Sequence, residues 1–196
     1  LVFMPLKTSI IKTCKELNRK TPSHIVALSF YGEMSEEDRD IVTKIDKKIG
    51  DYNISKNTIF EPDKEYVPKG TYQRAIIVAT NIAEASLTIE RLKVVVDTGI
   101  ENISVYNPLT NKGTPIISII SKTSSIQRRG RVGRTEDGHV YYLYQEKDVK
   151  DNKIIYKITQ SDIKDSLFKL LRDVDEKLTT DTYAYEKRNL NFTYQG

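Results

Sequence analysis

The sequence predicts an α/β fold: an open, mainly parallel sheet with helices on both faces. Two short runs, AIIVA at 75–79 and the valines from Val94 to Val96, are continuously apolar and β-branched. Strands buried on both faces of a parallel sheet have that pattern, whereas half-solvated strands alternate. Strand-like and helix-like stretches also follow one another from the first residue onward, the rhythm of βαβ units. The chain has 196 residues, 38% hydrophobic and 30% charged, enough for one core or for one domain with an appendage.

Each element has a local cause. LVFM (Leu1 to Met4) is strand-like until Pro5 stops it, and Thr8 is placed to cap a helix with Ile11, Cys14 and Leu17 on its apolar face. A chain that starts inside a fold is expected to be an excised piece of something longer. His24 to Phe30 reads as the next strand. In the YGEMSEEDRDIV that follows, Ser35 precedes Asp38 by three residues, a capping-box-like helix start. From Ile49 to Gly70 polar residues, Gly50, Pro62, Pro68 and Gly70 predict a surface loop, long enough to read as an insertion. Ile103 to Ile120 alternates around the turn-rich NPLTNKG at 107–113, which predicts a protruding β-hairpin. Gly138 to Tyr144 gives the last strand, where Tyr141, Tyr142 and Tyr144 read as packing residues and His139, like His24, as core or edge. Ile163, Leu167, Leu170, Leu171, Val174 and Leu178 recur at helical spacing behind Ser161, predicting a helical C-terminal extension.

Composition excludes several classes. One cysteine, Cys14, rules out an intrachain disulfide framework and a Cys-cluster zinc site, and two histidines leave few ligands for other metals, so no metal site is expected. No apolar run approaches the roughly 20 residues that cross a bilayer. The expected setting is intracellular, cytoplasmic or nuclear, with no membrane partner.

The net charge of +4 is unevenly spread. Lys122, Arg128, Arg129, Arg131 and Arg134 fall within thirteen residues that contain no acid, while ten basic and ten acidic residues cancel from Gln145 to the end. In ISKTSSIQRRGRVGRT (120–135) a helix starting near Thr123 would put Gln127, Arg131 and Arg134 on one face and Arg128 off it. Gly130 and Gly133 each cost such a helix up to about 1 kcal/mol relative to Ala, so they imply close approach of a backbone or ligand. Guanidinium groups suit phosphate because each is a planar donor fork that keeps its charge. A solvated basic face is the alternative. A second segment, IVATNIAEASLTIE (77–90), runs a buried strand into Thr80 and Asn81 at its carboxyl end, where open α/β sheets bind ligands. Ala83, Ala85, Ser86 and Thr88 follow, small or hydroxylated residues that let a phosphate or ribose approach, or else form an ordinary βα turn.

As they stand, these segments resemble the second RecA-like domain of DEAH/RHA-type superfamily 2 RNA helicases, a three-layer open sheet. LVFMP resembles the strand carrying motif IV, FYGEMSEEDR the segment after it, TNIAEASLTI motif V, VYNPLTNKG with ISK the family's hairpin and its exit, and QRRGRVGR motif VI. The likeness is collinear over roughly residues 1–145. It implies a helicase C-terminal domain at 1–145, with 146–196 a helical extension that starts a following domain. By the same resemblance Arg131 and Arg134 are arginine fingers for the γ-phosphate of ATP, and Gln127 orders that phosphate or its attacking water. Ser86 and Glu90 meet the nucleotide sugar, although Asp is usual at the latter place. Thr80, Asn81 and Thr88 hold the nucleic-acid backbone, and Arg128 braces the motif against a nearby carboxylate. Arg129 and Val132 stand where the branch commonly has Ala, a pattern closer to viral relatives.

The chain contains no GxxxxGK[ST] loop and no Asp-Glu-x-His run. ATP and Mg2+ would therefore be held mainly by an N-terminal RecA-like domain of the same parent chain, and this part alone is expected to be inactive. The implied partner is RNA, or DNA. Other readings are an ATP-dependent DNA helicase domain, a non-enzymatic nucleic-acid-binding module, or a scaffold that kept the fold and lost the activity.

Overall fold

A computed structural model describes residues 1–49, 58–60, 64–107 and 112–149. The predicted helix behind Ser161 lies outside them, as does the extension at 146–196 apart from its first four residues. The elements are β1 (Val2–Phe3), α1 (Lys7–Lys20), β2 (Ile25–Phe30), α2 (Glu36–Thr43), α3 (Ile45–Ile49), β3 (Thr58–Phe60), β4 (Gly70–Tyr72), β5 (Arg74–Ala79), α4 (Ala83–Ser86), β6 (Val94–Asp97), β7 (Ile100–Asn107), β8 (Lys112–Ile119), α5 (Lys122–Arg129) and β9 (His139–Tyr142). A short 3-10 turn follows at Glu146–Asp148.

Five strands form one sheet in the order β2-β5-β1-β6-β9. All four pairings are parallel. Their registers align Phe30 with Ala79, Ala79 with Phe3, Phe3 with Asp97, and Asp97 with Tyr142. One row of residues thus marks the carboxyl edge of the whole sheet.

Over β2 and β5 both faces are covered, as the apolar run of β5 requires, whereas Val94 of β6 is exposed. Because side chains alternate along a strand, Ala27 and Val78 point to one face, where Ile10 and Cys14 of α1 meet them. Val26, Leu28, Phe30, Ile77 and Ala79 point to the other, beneath Val42 of α2, Ile45 and Ile49 of α3, and Leu87. Burial pushes the Cys14 thiol up to about 12, so it packs as a small apolar group. The outward backbone of edge strand β2 is satisfied by α1: Ala27 N–H donates to Asn18 Oδ1 at 2.6 Å, and Asn18 Nδ2 donates to Ala27 O at 3.1 Å. That pairing closes an edge otherwise open to other strands.

Several local expectations change. Thr8 does not cap α1; the helix begins at Lys7 behind Leu6, two residues too early for Thr8 to serve. Ser35 does cap α2, accepting from Asp38 N–H. Ile45–Ile49 is a helix, not a loop, and both its isoleucines are buried in the core over β5. Within the stretch read as a loop, β3 and β4 pair antiparallel; residues 50–57 and 61–63 lie outside the described residues. Tyr141 and Tyr142 are exposed rather than packed, since β9 is the last strand of the sheet. His24 and His139 are both exposed at sheet edges.

Strands β7 and β8 form a two-stranded sheet, as the alternation predicts; 108–111 of its turn lie outside the described residues. Its outer part, Ser104–Thr114, belongs to a second compact unit. No helix among the described residues is long and apolar enough to cross a membrane.

Candidate nucleotide and nucleic-acid site

The two segments singled out in the sequence meet at the carboxyl edge of the sheet. Thr80 follows β5 directly. Its N–H donates to Phe30 O at 3.1 Å and its carbonyl accepts from Ala83 N–H, which turns the chain into α4. Asn81 is half-buried, with Nδ2 at 3.5 Å from Glu101 Oε2. Ser86 ends α4 exposed, its hydroxyl donating to Ile82 O at 2.7 Å. Thr88 and Glu90 are exposed.

Helix α5 begins at Lys122, one residue before the expected Thr123, with Ser121 accepting from Ser124 N–H at 3.1 Å. Its end differs from the expectation. The helix stops at Arg129, with Gly130 as C-cap, and Gly133 adopts a left-handed φ of +76°. Gln127 is therefore on the helix, whereas Arg131 and Arg134 lie on the loop beyond it, so helical periodicity does not relate the three side chains. A glycine just past the last turn ends a helix readily.

Three links tie this loop and helix to the 80–90 segment. Arg128 is buried at 1% exposure, and its Nε donates to Glu84 Oε1 at 2.7 Å. Arg131 donates from NH1 to Leu87 O at 3.1 Å and from Nε to Gln127 O at 3.3 Å. The Thr135 hydroxyl donates to Glu90 O at 2.9 Å.

The second arm of Arg128 reaches Asp97 at the end of β6, NH1 to Oδ1 at 2.8 Å, and the guanidinium lies 4.7 Å from the Phe3 ring centroid. Asp97 also accepts from Gly99 N–H at 2.9 Å and from the Tyr144 hydroxyl at 2.9 Å. Glu84, Asp97 and Tyr144 were missed by sequence reasoning. The only signal for Glu84 and Asp97 was an acid inside otherwise small or apolar runs, AEAS and VVVD, and Tyr144 read as a packing residue.

The electrostatics are lopsided. Glu84 and Asp97 are both committed to Arg128, which leaves the neighbouring cations unbalanced. Partial burial, then repulsion from Arg134, lowers the pKa of Arg131. Arg134 and Gln127 are exposed, and among the described residues Arg134 has no ion pair. A phosphate placed there would satisfy both guanidinium groups and relieve their repulsion.

A parallel sheet with a cationic loop at its carboxyl edge defines an α/β domain, and comparison narrows the class. Residues 63–136 match the family described as the Helicase conserved C-terminal domain. A protein of Acanthamoeba polyphaga mimivirus, provisionally named an ATP-dependent RNA helicase, is 44% identical over 175 residues, covering 88% of this chain and 10% of its own length. A second so named from the same virus is 31% identical over 143 residues, 73% of this chain and 18% of the relative. The crystal structure of the DExH-box NTPase HrpB of E. coli superposes with a TM-score of 0.61 at 27% identity, covering 88% of this chain and 19% of that one. Another crystal structure of the E. coli DEAH/RHA helicase HrpB gives 0.62 at 27%, covering 87% and 19%. The chain carries a helicase C-terminal domain of the superfamily 2 type, with a RecA-like fold. It spans between a tenth and a fifth of the length of these relatives.

Proposed function

We propose that this chain is the second motor domain of an ATP-dependent RNA helicase. In this reading residues 1–145 are the motor domain and 146–196 begin the next. ATP and Mg2+ are held mainly by a first RecA-like domain of the same parent chain, which supplies the phosphate loop this chain lacks. Arg131 and Arg134 stabilise charge on the γ-phosphate as its bond to the leaving diphosphate loosens, and Gln127 orders that phosphate or the attacking water. Ser86 and Glu90 approach the sugar. Thr80, Asn81 and Thr88 hold the nucleic-acid backbone, so the 80–90 segment senses RNA while the 127–134 segment acts on nucleotide.

The observation that carries this reading is the buried Arg128, bonded to both Glu84 and Asp97. It welds the two segments together yet leaves Gln127 and Arg134 exposed beside Arg131. Charge stabilisation by a preplaced arginine is worth on the order of 10³ to 10⁵ in phosphoryl-transfer rate. The choice of RNA over DNA is supported by the names of the mimivirus relatives.

The test is Arg131→Ala and Arg134→Ala in the full-length protein. RNA-stimulated ATP hydrolysis should fall by at least about a thousandfold while RNA binding persists. Unchanged hydrolysis overturns the proposal; loss of RNA affinity in a protein without ATPase activity favours a non-enzymatic binding module.

A further inference from the structure

We propose that Tyr144 is a positioning residue for the arginines that follow α5, acting through Asp97 and Ser125; this rests on the function proposed above. Tyr144 lies two residues past β9, just beyond the row that marks the carboxyl edge. Its hydroxyl donates to Asp97 Oδ2 at 2.9 Å and lies 2.8 Å from Ser125 Oγ. A phenol has one proton. With that proton on Asp97, the Ser125 hydroxyl must donate to Tyr144, and donation runs one way from α5 through Tyr144 to Asp97.

The other carboxylate oxygen of Asp97 takes the N–H groups of Gly99 and Arg128. Tyr144 is therefore the one donor to Oδ2 among the described residues, on a carboxylate with no exposure at all. Burial, together with the negative charge of Asp97, pushes the phenol up to about 12, so the hydroxyl remains a donor at neutral pH.

The consequence is mechanical. Ser125 and Arg128 are three residues apart and share a face of α5. Both are tied to Asp97, Arg128 directly and Ser125 through Tyr144. The other bonds of Arg128 and of the loop hold the C-terminal end of α5, and the path through Tyr144 adds a fixed point one turn earlier, which limits rotation of the helix about that end. Arg131 begins three residues beyond Arg128, so the rotation of α5 sets where the loop leaves the helix and where both guanidinium groups point. Small misplacement of charge-stabilising groups costs rate steeply. The ring itself is seated against Gly99, where a Cβ would come within 2.4 Å of Tyr144 Cδ1.

The experiment is a kinetic double-mutant cycle in the full-length protein: Tyr144→Phe, Arg131→Ala and both together, with the exposed Tyr141→Phe as control. RNA-stimulated ATPase is measured as kcat and KM for ATP, alongside thermal unfolding. Tyr144→Phe keeps the ring and loses the bond, so kcat should fall about tenfold with KM nearly unchanged. In the Arg131→Ala background that loss should shrink to the part carried by Arg134, because residues acting as a unit are not additive. A lowered melting temperature with unchanged kcat overturns the proposal, as does an equal kcat loss in both backgrounds. If Arg131→Ala cripples hydrolysis while Tyr144→Phe does not, the positioning role falls and the function stands. If Arg131→Ala is without effect, both fall. Should Tyr144→Phe fail to fold, Ser125→Ala cuts the same tether at its other end, leaves the bonds of Asp97 intact, and should give the same non-additive loss.

Discussion

Arg128 of α5 holds its NH1 group 2.8 Å from Oδ1 of Asp97 at the end of β6, with both side chains at or below 1% exposure. Nε of the same guanidinium binds Glu84 of α4. One planar fork therefore joins the central sheet to the two helices that carry the site. Arg128→Ala would strand two carboxylates in an apolar setting, and breaking a buried ion pair costs about 3–5 kcal/mol. Lys cannot recover it, since an ammonium lacks the two-armed geometry that reaches Glu84 and Asp97 at once. Urea unfolding should show Arg128→Ala and Arg128→Lys both strongly destabilised. A lysine variant as stable as the parent would mean that charge, not the fork, is what the site requires.

Glu84 allows a test through pH. Burial raises its carboxyl above the ordinary value near 4.5, against the opposing bond from Arg128. A carboxyl with a raised native pKa binds its proton more tightly when folded. Its contribution to stability is therefore complete below about pH 4.5 and is lost as pH rises through the native value. Glu84→Gln has no such proton. The stability of the parent minus that of the variant should fall as pH rises above about 4.5, measured by urea unfolding at steps upward from there. A difference that rises with pH would show that Arg128 outweighs burial.

Legibility in the sequence tracked how local the cause was. β5 was readable because burial on both faces imposes an unbroken apolar run, which β6 shares although Val94 is exposed, and the start of α5 because Ser121 satisfies a free amide within its own turn. The end of α5 was misread because periodicity extends past Gly130, while backbone capping does not. Glu84 and Asp97 could not be assigned, since they come together only when Arg128, 44 and 31 residues away, folds between them. The 127–134 segment supplied the candidate residues, but the scaffold aiming them is a long-range network that spacing alone does not encode.

Two glycines near the site have left-handed backbones for different reasons, and substitution should separate them. Gly99 has φ +75° and Gly133 φ +76°. Forcing an L-residue into that region costs roughly 1–2 kcal/mol at either place. Around Gly133 nothing lies within 4 Å of an added Cβ, so Gly133→Ala should cost about that and no more. At Gly99 the new methyl would meet Cδ1 and Cγ of Tyr144 at 2.4 and 2.7 Å. The ring must then move, which pulls its hydroxyl from buried Asp97 and adds about 1–3 kcal/mol. Urea unfolding should therefore rank Gly99→Ala well below Gly133→Ala in stability. In a Tyr144→Ala background, where the ring is gone, the gap between the two should close to within experimental error; a gap that persists would place the constraint at Gly99 in the backbone instead of the phenol.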